Sequence, residues 1–453
     1  MSPVLCVDFG STYTKLTAVD TQNNKIIGTS KAYTTIETHI LDGFNNAMAE
    51  LVANIGELDY THKLAASSAA GGLKMVAIGL VPNLTANAAK LAACSAGAKL
   101  MATYSYELSN TEKKEIEQSK PDIILLCGGT DGGNKDVILH NARIVASIDQ
   151  PVPVVIAGNK SAVDEAHDII QASGKQAIVV ANVMPTLNEL NIAPAKQAIG
   201  DIFINQITSA KGLDDAQAIM SLDIVPTPYA AFEACELLST LGTLVTVDVG
   251  GATTDIYSMT EGKPTRYDAV HRGLKEPYAK RSVEGDLGMR YSLTSLVSEA
   301  GIPYIAQNTN LPEQEVEDWI NQCITDTSTV AEIGTNGHKI DDEIASCCVE
   351  IAIDRHAGKL ESIYTSTGEV FVQTGKDLSD VKFVIGTGGS IINSPNAEAI
   401  LSRALASPLN QFSLNPVSPQ IIVDRSYILT SMGLLSAIDK DCALAIMKNE
   451  FNI

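Results

Sequence analysis

Leu5-Cys-Val-Asp8-Phe-Gly10-Ser11-Thr12-Tyr-Thr14-Lys15 and Val245-Thr-Val-Asp248-Val-Gly250-Gly251-Ala-Thr253-Thr254-Asp255 align without a gap at an offset of 248 − 8 = 240 residues. Each is an apolar strand ending in Asp, a Gly turn, small hydroxyl residues and then a second apolar strand. A strand–turn–strand unit repeated at that distance points to two related domains, each presenting one hairpin. Outward from the hairpins, Val4–Asp8, Leu16–Val19, Ile123–Cys127, Val152–Ala157, Ala177–Ala181, Leu244–Val249 and Phe383–Ile385 read as strands. Most are continuous β-branched apolar runs, the pattern of strands covered on both faces. Helical periodicity falls between them, over Asp42–Ile55, Ala86–Ala98, Asn134–Ile148, Ser161–Ala172 and Glu343–Arg355. This alternation is the α/β signature. The expected organisation is a first domain over 1–243, with an α/β insert at about 115–200, and a second domain over 244–453.

The chain has 453 residues, 45 % of them hydrophobic and 19 % charged, enough for a sizeable core. Its net charge of −21 argues against general nucleic-acid or anionic-membrane binding, though not against a local anion site made of backbone N–H groups. Eight cysteines at 6, 94, 127, 235, 323, 347, 348 and 442 form no CxxC pair, and the seven histidines no metal-spaced cluster. They read as reduced, buried thiols of a cytoplasmic protein. Asp8 arrives with no basic segment before it, so no signal peptide is expected, and no apolar run reaches membrane-spanning length.

The turns carry the chemistry. At Asp8-Phe-Gly10-Ser11-Thr12, glycine would permit positive φ and close approach of backbone to ligand, and successive N–H groups with the two hydroxyls can face phosphate oxygens. Asp8 ends its strand where a phosphate-bound Mg²⁺ would sit, since that ion takes one or two carboxylates and otherwise waters. Lys15 is placed to neutralise a terminal phosphate. Asp248, Gly250, Gly251, Thr253 and Thr254 supply the same parts in the second hairpin. Either hairpin alone reads equally well as an ordinary Gly-containing β-turn; the pair favours a polyphosphate gripped from two sides.

A third element fits the same ligand. Phe383-Val-Ile-Gly386-Thr-Gly388-Gly389-Ser390 is a strand entering a Gly-rich turn and then a helix, with room for a base or ribose against the backbone. Ile391 stands where a dinucleotide fingerprint needs its last Gly, and no G-x-x-x-x-G-K-[ST] occurs, so neither a Rossmann site nor a P-loop is expected. Two further acids, Glu284 and Asp286, reach toward metal or nucleotide sugar, or are plain solvated turn acids. Gly128-Gly-Thr-Asp131-Gly-Gly133 reads as a tight surface turn, His271-Arg272-Gly273 as surface lining, and Trp319 with Cys347 and Cys348 as core packing.

In this order the Asp8 hairpin, the Asp248 hairpin and Gly386-Thr-Gly388-Gly389 resemble the phosphate-1, phosphate-2 and adenosine motifs of the actin, sugar-kinase and heat-shock-chaperone ATPase superfamily. Thr430-Ser-Met-Gly433-Leu-Leu-Ser-Ala resembles its second connecting helix. Within that superfamily the chain is similar to the glutamate mutase L family (MutL or GlmL, distinct from the mismatch-repair protein). That likeness rests on the Asp8 motif, Ser67-Ser-Ala-Ala-Gly71-Gly-Leu-Lys-Met75, Gly79-Leu-Val-Pro82-Asn-Leu-Thr85, Leu126-Cys-Gly128-Gly-Thr-Asp131-Gly-Gly133 and Val283-Glu284-Gly-Asp286-Leu-Gly288-Met-Arg290.

The resemblance implies two related actin-like, ribonuclease H-like ATPase domains around a nucleotide cleft. It implies ATP and Mg²⁺ as cofactors, slow hydrolysis, and a chaperone that reactivates an adenosylcobalamin-dependent mutase, whose subunits would be the partners. No D-x-H-x-x-G cobalamin signature occurs, which suits a helper better than the mutase. Asp8 and Asp248 would organise the metal's waters, with Asp248 orienting the attacking water. Gly10, Ser11, Thr12, Lys15, Gly250, Gly251, Thr253 and Thr254 would hold phosphates, Glu284 would lie near metal or sugar, and Gly386, Gly388, Gly389 and Ser390 would face adenosine. The alternatives are a small-molecule kinase of the sugar-kinase type and an actin-like assembly protein; self-association is left open.

Overall fold

Every residue of the first strand, Pro3–Phe9 (β1), is buried, Asp8 included, as a strand covered on both faces requires. It pairs antiparallel with β2 (Tyr13–Asp20), which pairs antiparallel with β3 (Lys25–Tyr33), while β4 (His62–Ser67) runs parallel on its other side. The chain then builds a separate parallel sheet from β5 (Lys74–Gly79), β6 (Lys99–Ser105), β7 (Ile123–Leu126), β8 (Val154–Ile156) and β9 (Ala177–Val179). The short β10 (Val225–Pro226) returns to lie parallel to β4. In the computed structural model the described residues are 2–35, 38–68, 73–207, 212–366, 368–407 and 410–453.

The second half repeats the first. Its strands are β11 (Leu244–Val249), β12 (Thr254–Met259), β13 (Ala269–His271), β14 (Ala279–Glu284), β15 (Lys359–Thr365), β16 (Gly368–Thr374), β17 (Phe383–Thr387) and β18 (Gln420–Val423). The order β18-β17-β11-β12-β14 matches β10-β4-β1-β2-β3, with parallel and antiparallel neighbours at the same places. The 240-residue repeat is therefore the visible tip of a duplicated α/β domain, the actin-like, ribonuclease H-like pair expected, with an α/β insert in the first. Strands β13, β16 and β15 form a small additional sheet.

The insert starts earlier than position 115. Its sheet, in the order β6-β5-β7-β8-β9, already takes in β5 and β6 from Lys74 on. The half-exposed β6 alternates too weakly to be read as a strand from sequence. Val76, Ile78, Ile116, Ile124, Leu126, Val154 and Ile156 fill the insert core. A second core gathers Val245, Val247, Val249, Ile256, Leu293, Ile344, Ile353 and Leu401. Each such side chain, fully buried, is worth about 1.5–3 kcal/mol of transfer free energy. The long helix Asn336–His356 on that core begins before Glu343, where the sequence pattern placed its start, because Thr335 caps it through the N–H of His338.

The chain divides into one unit of Met1–Leu237 with Thr430–Met447 and another of Leu238–Leu429 with Lys448–Ile453. Thr430–Met447, expected with the second domain, belongs to the first unit for a local reason. A Cβ on Gly433 would lie 1.8 Å from the carbonyl oxygen of Ala230, so only glycine lets helix Leu429–Ser436 cross helix Thr227–Leu238 this closely. Beside it, Ser431 Oγ donates to Thr17 Oγ1 at 2.9 Å in the interior.

Candidate functional site

The first unit places Asp8 at the end of β1, 4 % exposed. Thr227, the first residue of its helix, donates its hydroxyl to Asp8 Oδ1 at 2.7 Å. Burial pushes the Asp8 carboxyl above the usual range, opposed by the charge of Lys15 and by the Thr227 hydrogen bond. Lys15 stands directly across the ladder from Asp8, on the same face of the hairpin. The turn closes through Gly10, whose N–H donates to the carbonyls of Asp8 and Tyr13. Gly10 is needed for close approach rather than for positive φ: a Cβ there would lie 2.6 Å from the Tyr13 carbonyl oxygen. Ser11 and Thr12 are exposed at the tip. Thr227 escaped the sequence reading, because nothing in Val225-Pro-Thr-Pro228 links it to a residue 219 positions away.

The second unit builds the matching turn differently. Asp248 stands across the ladder from Asp255 and beside Thr387 of β17. Gly388, at φ +93°, brings its Cα against this strand end; a Cβ there would lie 2.8 Å from Asp248 Oδ1 and 2.3 Å from the Val249 carbonyl. The carbonyls of the turn are all occupied from behind. Gly250 O accepts from Met289 N at 3.1 Å, Gly251 O from Arg290 N and Tyr291 N at 2.9 Å each, and Ala252 O from Ser292 Oγ at 2.6 Å. Thr254 Oγ1 donates to Leu287 O, and Gly288 packs against Ala252 too closely for any Cβ. Among the described residues no acceptor takes the N–H of Gly251, Ala252 or Thr253. A turn with its carbonyls tied down on one side and its amides unpaired is a concavity for an anion. The sequence motif Val283–Arg290 stops short of Tyr291 and Ser292, which supply two of these donors.

Other expected residues divide. Ser390 Oγ reaches Val249 O at 3.4 Å, which joins the Gly-rich turn to the second hairpin. Gly389 is exposed with open space around it, whereas Gly386 is buried against Leu401 and makes room for that side chain. Glu284 and Asp286 are ion-paired with Arg355 at 2.7 and 2.8 Å rather than solvated singly. Thr254 is buried, its hydroxyl turned to Leu287. Asn159 accepts from Gly132 N and donates to Gly133 O and Asn134 O, and Asn182 donates to Gly129 O and Asp131 Oδ1, so the Gly128–Gly133 turn is held by side chains from outside it. Cys347 and Cys348 are buried, and Trp319 Nε1 donates to Asp341. Gly71 and Gly72 lie outside the described residues.

On each unit one carboxylate, Asp8 or Asp248, stands at a strand end, and on the second the adjoining amides of 251–253 have no acceptor among the described residues; carboxylate and amides of this kind fit a phosphate-bound Mg²⁺. Among the described residues no group of three or more His, Cys, Asp or Glu side chains would hold a metal unaided. No helix among them is long and apolar enough to cross a membrane.

Solved structures similar to this chain include a nucleotide-free acetone carboxylase (14 % identical, 96 % of this chain and 70 % of that one, TM-score 0.39). Others are a xylulose kinase from Lactobacillus acidophilus (10 %, 98 % and 91 %, TM-score 0.36) and a 2-hydroxyisocaproyl-CoA dehydratase activator from Clostridium difficile (9 %, 99 % and 97 %, TM-score 0.31). All are too loose to carry a function. The sequence comparisons are close. "Protein MutL" of Clostridium tetanomorphum is 45 % identical over 461 residues, covering 99 % of both chains. Residues 4–451 match the family described as MutL protein, and this chain belongs to that family.

Proposed function

We propose that this chain binds ATP with Mg²⁺, hydrolyses it slowly, and uses the cycle to reactivate an adenosylcobalamin-dependent carbon-skeleton mutase of the glutamate mutase type. The observation that carries the nucleotide part is the turn 250–253, whose carbonyls are held from behind while three successive amides have no acceptor among the described residues. Such an array, pre-oriented and beside a carboxylate, lowers the energy of phosphoryl oxygens without reorganisation. The magnesium ion would offset charge on the β- and γ-phosphates. Asp8 and Asp248 would orient its waters, and Asp248, on the polarised turn, would position the attacking water. Lys15, Ser11 and Thr12 would hold the phosphate tail on the first unit; Gly388, Gly389 and Ser390 would lie along the nucleoside on the second. Support for the mutase as partner comes from family membership and from the motifs that carry the resemblance to glutamate mutase L.

The test is phosphate release from MgATP by the purified chain, alone and with a cobalamin-dependent mutase inactivated during turnover. Stimulated release together with recovered mutase activity supports the reading. Failure to bind MgATP at millimolar concentration would sink it. ATP consumption that depends on a sugar or acid acceptor would move the chain to the kinases, and ATP-dependent sedimentation to the assembly proteins.

A further inference from the structure

The segment 285–292 has no regular secondary structure, yet four of its donors hold the carbonyls of residues 250–252. Something must fix it. Upstream, Glu284 ends β14 and Asp286 follows; downstream, the segment enters helix Leu293–Ala300, which carries Glu299. One guanidinium, that of Arg355 in the last turn of helix Asn336–His356, reaches all three acids. Its Nη1 lies 2.7 Å from Glu284 Oε2 and 2.8 Å from Asp286 Oδ1, its Nη2 lies 2.9 Å from Asp286 Oδ2, and Nη2 also pairs with Glu299. Ser292 Oγ, whose single proton serves the closer Ala252 O, also lies 2.9 Å from Gly285 O. The planar fork of arginine suits this bridging, which a lysine point charge reproduces only in part. Arg355 also holds the Asp286 carboxyl below its ordinary range.

We infer that Arg355 is a positioning residue for the anion-facing turn: it ties the start of segment 285–292, at Glu284 and Asp286, to Glu299 of the helix into which the segment runs, and through that segment aims the amides of Gly251, Ala252 and Thr253 outward. The role touches neither phosphate nor metal. It rests on the proposed nucleotide site for its purpose, but the clamp itself can be tested without any nucleotide.

The experiment is hydrogen exchange on the nucleotide-free protein, following the amides of Met289, Arg290 and Tyr291. Arg355→Met is expected to speed their exchange about tenfold while the strands β11 and β17 keep their protection, with Arg355→Lys in between. Unchanged exchange at the three amides overturns the inference. Should Arg355→Met fail to fold, Asp286→Asn and Glu299→Gln each remove one pair and are expected to shift the same amides by a smaller factor; no shift in either has the same meaning. A second arm titrates MgATP and adenosine. Arg355→Met is expected to weaken MgATP by about tenfold and leave adenosine unchanged, the split a general loss of structure would not give. Equal weakening of both ligands overturns the positioning role. A wild-type chain that ignores MgATP while the exchange result holds would fail the nucleotide reading and leave the clamp standing.

Discussion

The two hairpins share strand order, register and the Asp at the strand end, and they differ in what stands behind them. On β1–β2 the cation is built in, for Lys15 faces Asp8 across the ladder, and the carboxylate is buried and held by Thr227. On β11–β12 the same ladder position is Asp255, whose charge is answered one strand further out by Arg281 of β14 at 3.1 Å. The freed effort goes into the backbone: four donors from 289–292 lock the turn carbonyls and leave its amides open. The two units thus keep one scaffold and differ in what their turns present. In the proposed site the first turn would offer fixed side-chain charge and the second oriented dipoles, which cost no reorganisation when an oxyanion forms.

The sharpest way to break this comparison is to remove one carboxylate at a time. Asp248→Ala is expected to lower ATP hydrolysis by about a thousandfold, because it sits on the polarised turn, with MgATP affinity changed far less. Asp8→Asn is expected to cost about a hundredfold in the same phosphate-release assay. It should also raise the melting temperature at pH 7. The sign follows from burial: a carboxyl whose folded pKa lies above its unfolded one binds its proton more readily in the folded state, so stability falls as pH rises past that range, and a neutral amide escapes the penalty. If Asp8→Asn lost stability while Asp248→Ala hydrolysed ATP at the wild-type rate, the division of labour would be the reverse of the one argued.

The next effect concerns how the third element meets the second hairpin. Gly388→Ala forces a Cβ to within 2.3 Å of Val249 O and 2.8 Å of Asp248 Oδ1 at a φ of +93°. The strain, of order 1–3 kcal/mol, would be relieved by displacing the Asp248 strand end, so MgATP affinity should fall about tenfold by calorimetry. Gly389→Ala, with nothing near its Cβ, should bind as the parent does.

How far the sequence revealed all this depends on the range of the interaction. The strands were legible because β1, β11 and β17 are covered on both faces and so are mostly apolar, without the polar alternation of a half-exposed strand. The duplication was legible because its most constrained point, an Asp at a strand end before a glycine turn, recurs at fixed spacing. The half-exposed β6 and the two-residue β10 left too short or too mixed a pattern. At the site, the residues inside each hairpin were readable locally. Thr227, Ser292 and Arg355 were not, since each acts on a partner brought to it only by the fold. At 10, 386 and 388 the sequence marks a glycine without its cause: Tyr13 O crowds Gly10, Leu401 crowds Gly386, and the Asp248 strand end crowds Gly388. Sequence shows that a glycine is present; only packing shows which neighbour demands it.

The smallest effect sharpens the contrast from the far end of β12. Lys376 is almost fully buried and donates to Thr260 O at 2.9 Å and Tyr278 O at 2.6 Å, with Ser258 Oγ at 3.4 Å. Ser258 in turn meets His356 Nε2 at 2.8 Å, and Lys280, ion-paired with Glu276, donates to the His356 carbonyl. Burial, aided by the charge of Lys280 and opposed by Glu276 and Glu261, brings the Lys376 amine down to about 7. Its folded pKa lies below its unfolded one, so between these two values the unfolded chain holds more protons and stability rises with pH. Lys376→Met should flatten that rise in urea midpoints measured from pH 7 to 10, and it should leave Asp8-dependent behaviour at acidic pH as it was. A lysine buried behind β12, the second hairpin's strand, and an aspartate buried in β1 of the first would then tilt stability in opposite directions as pH rises, each within its own window.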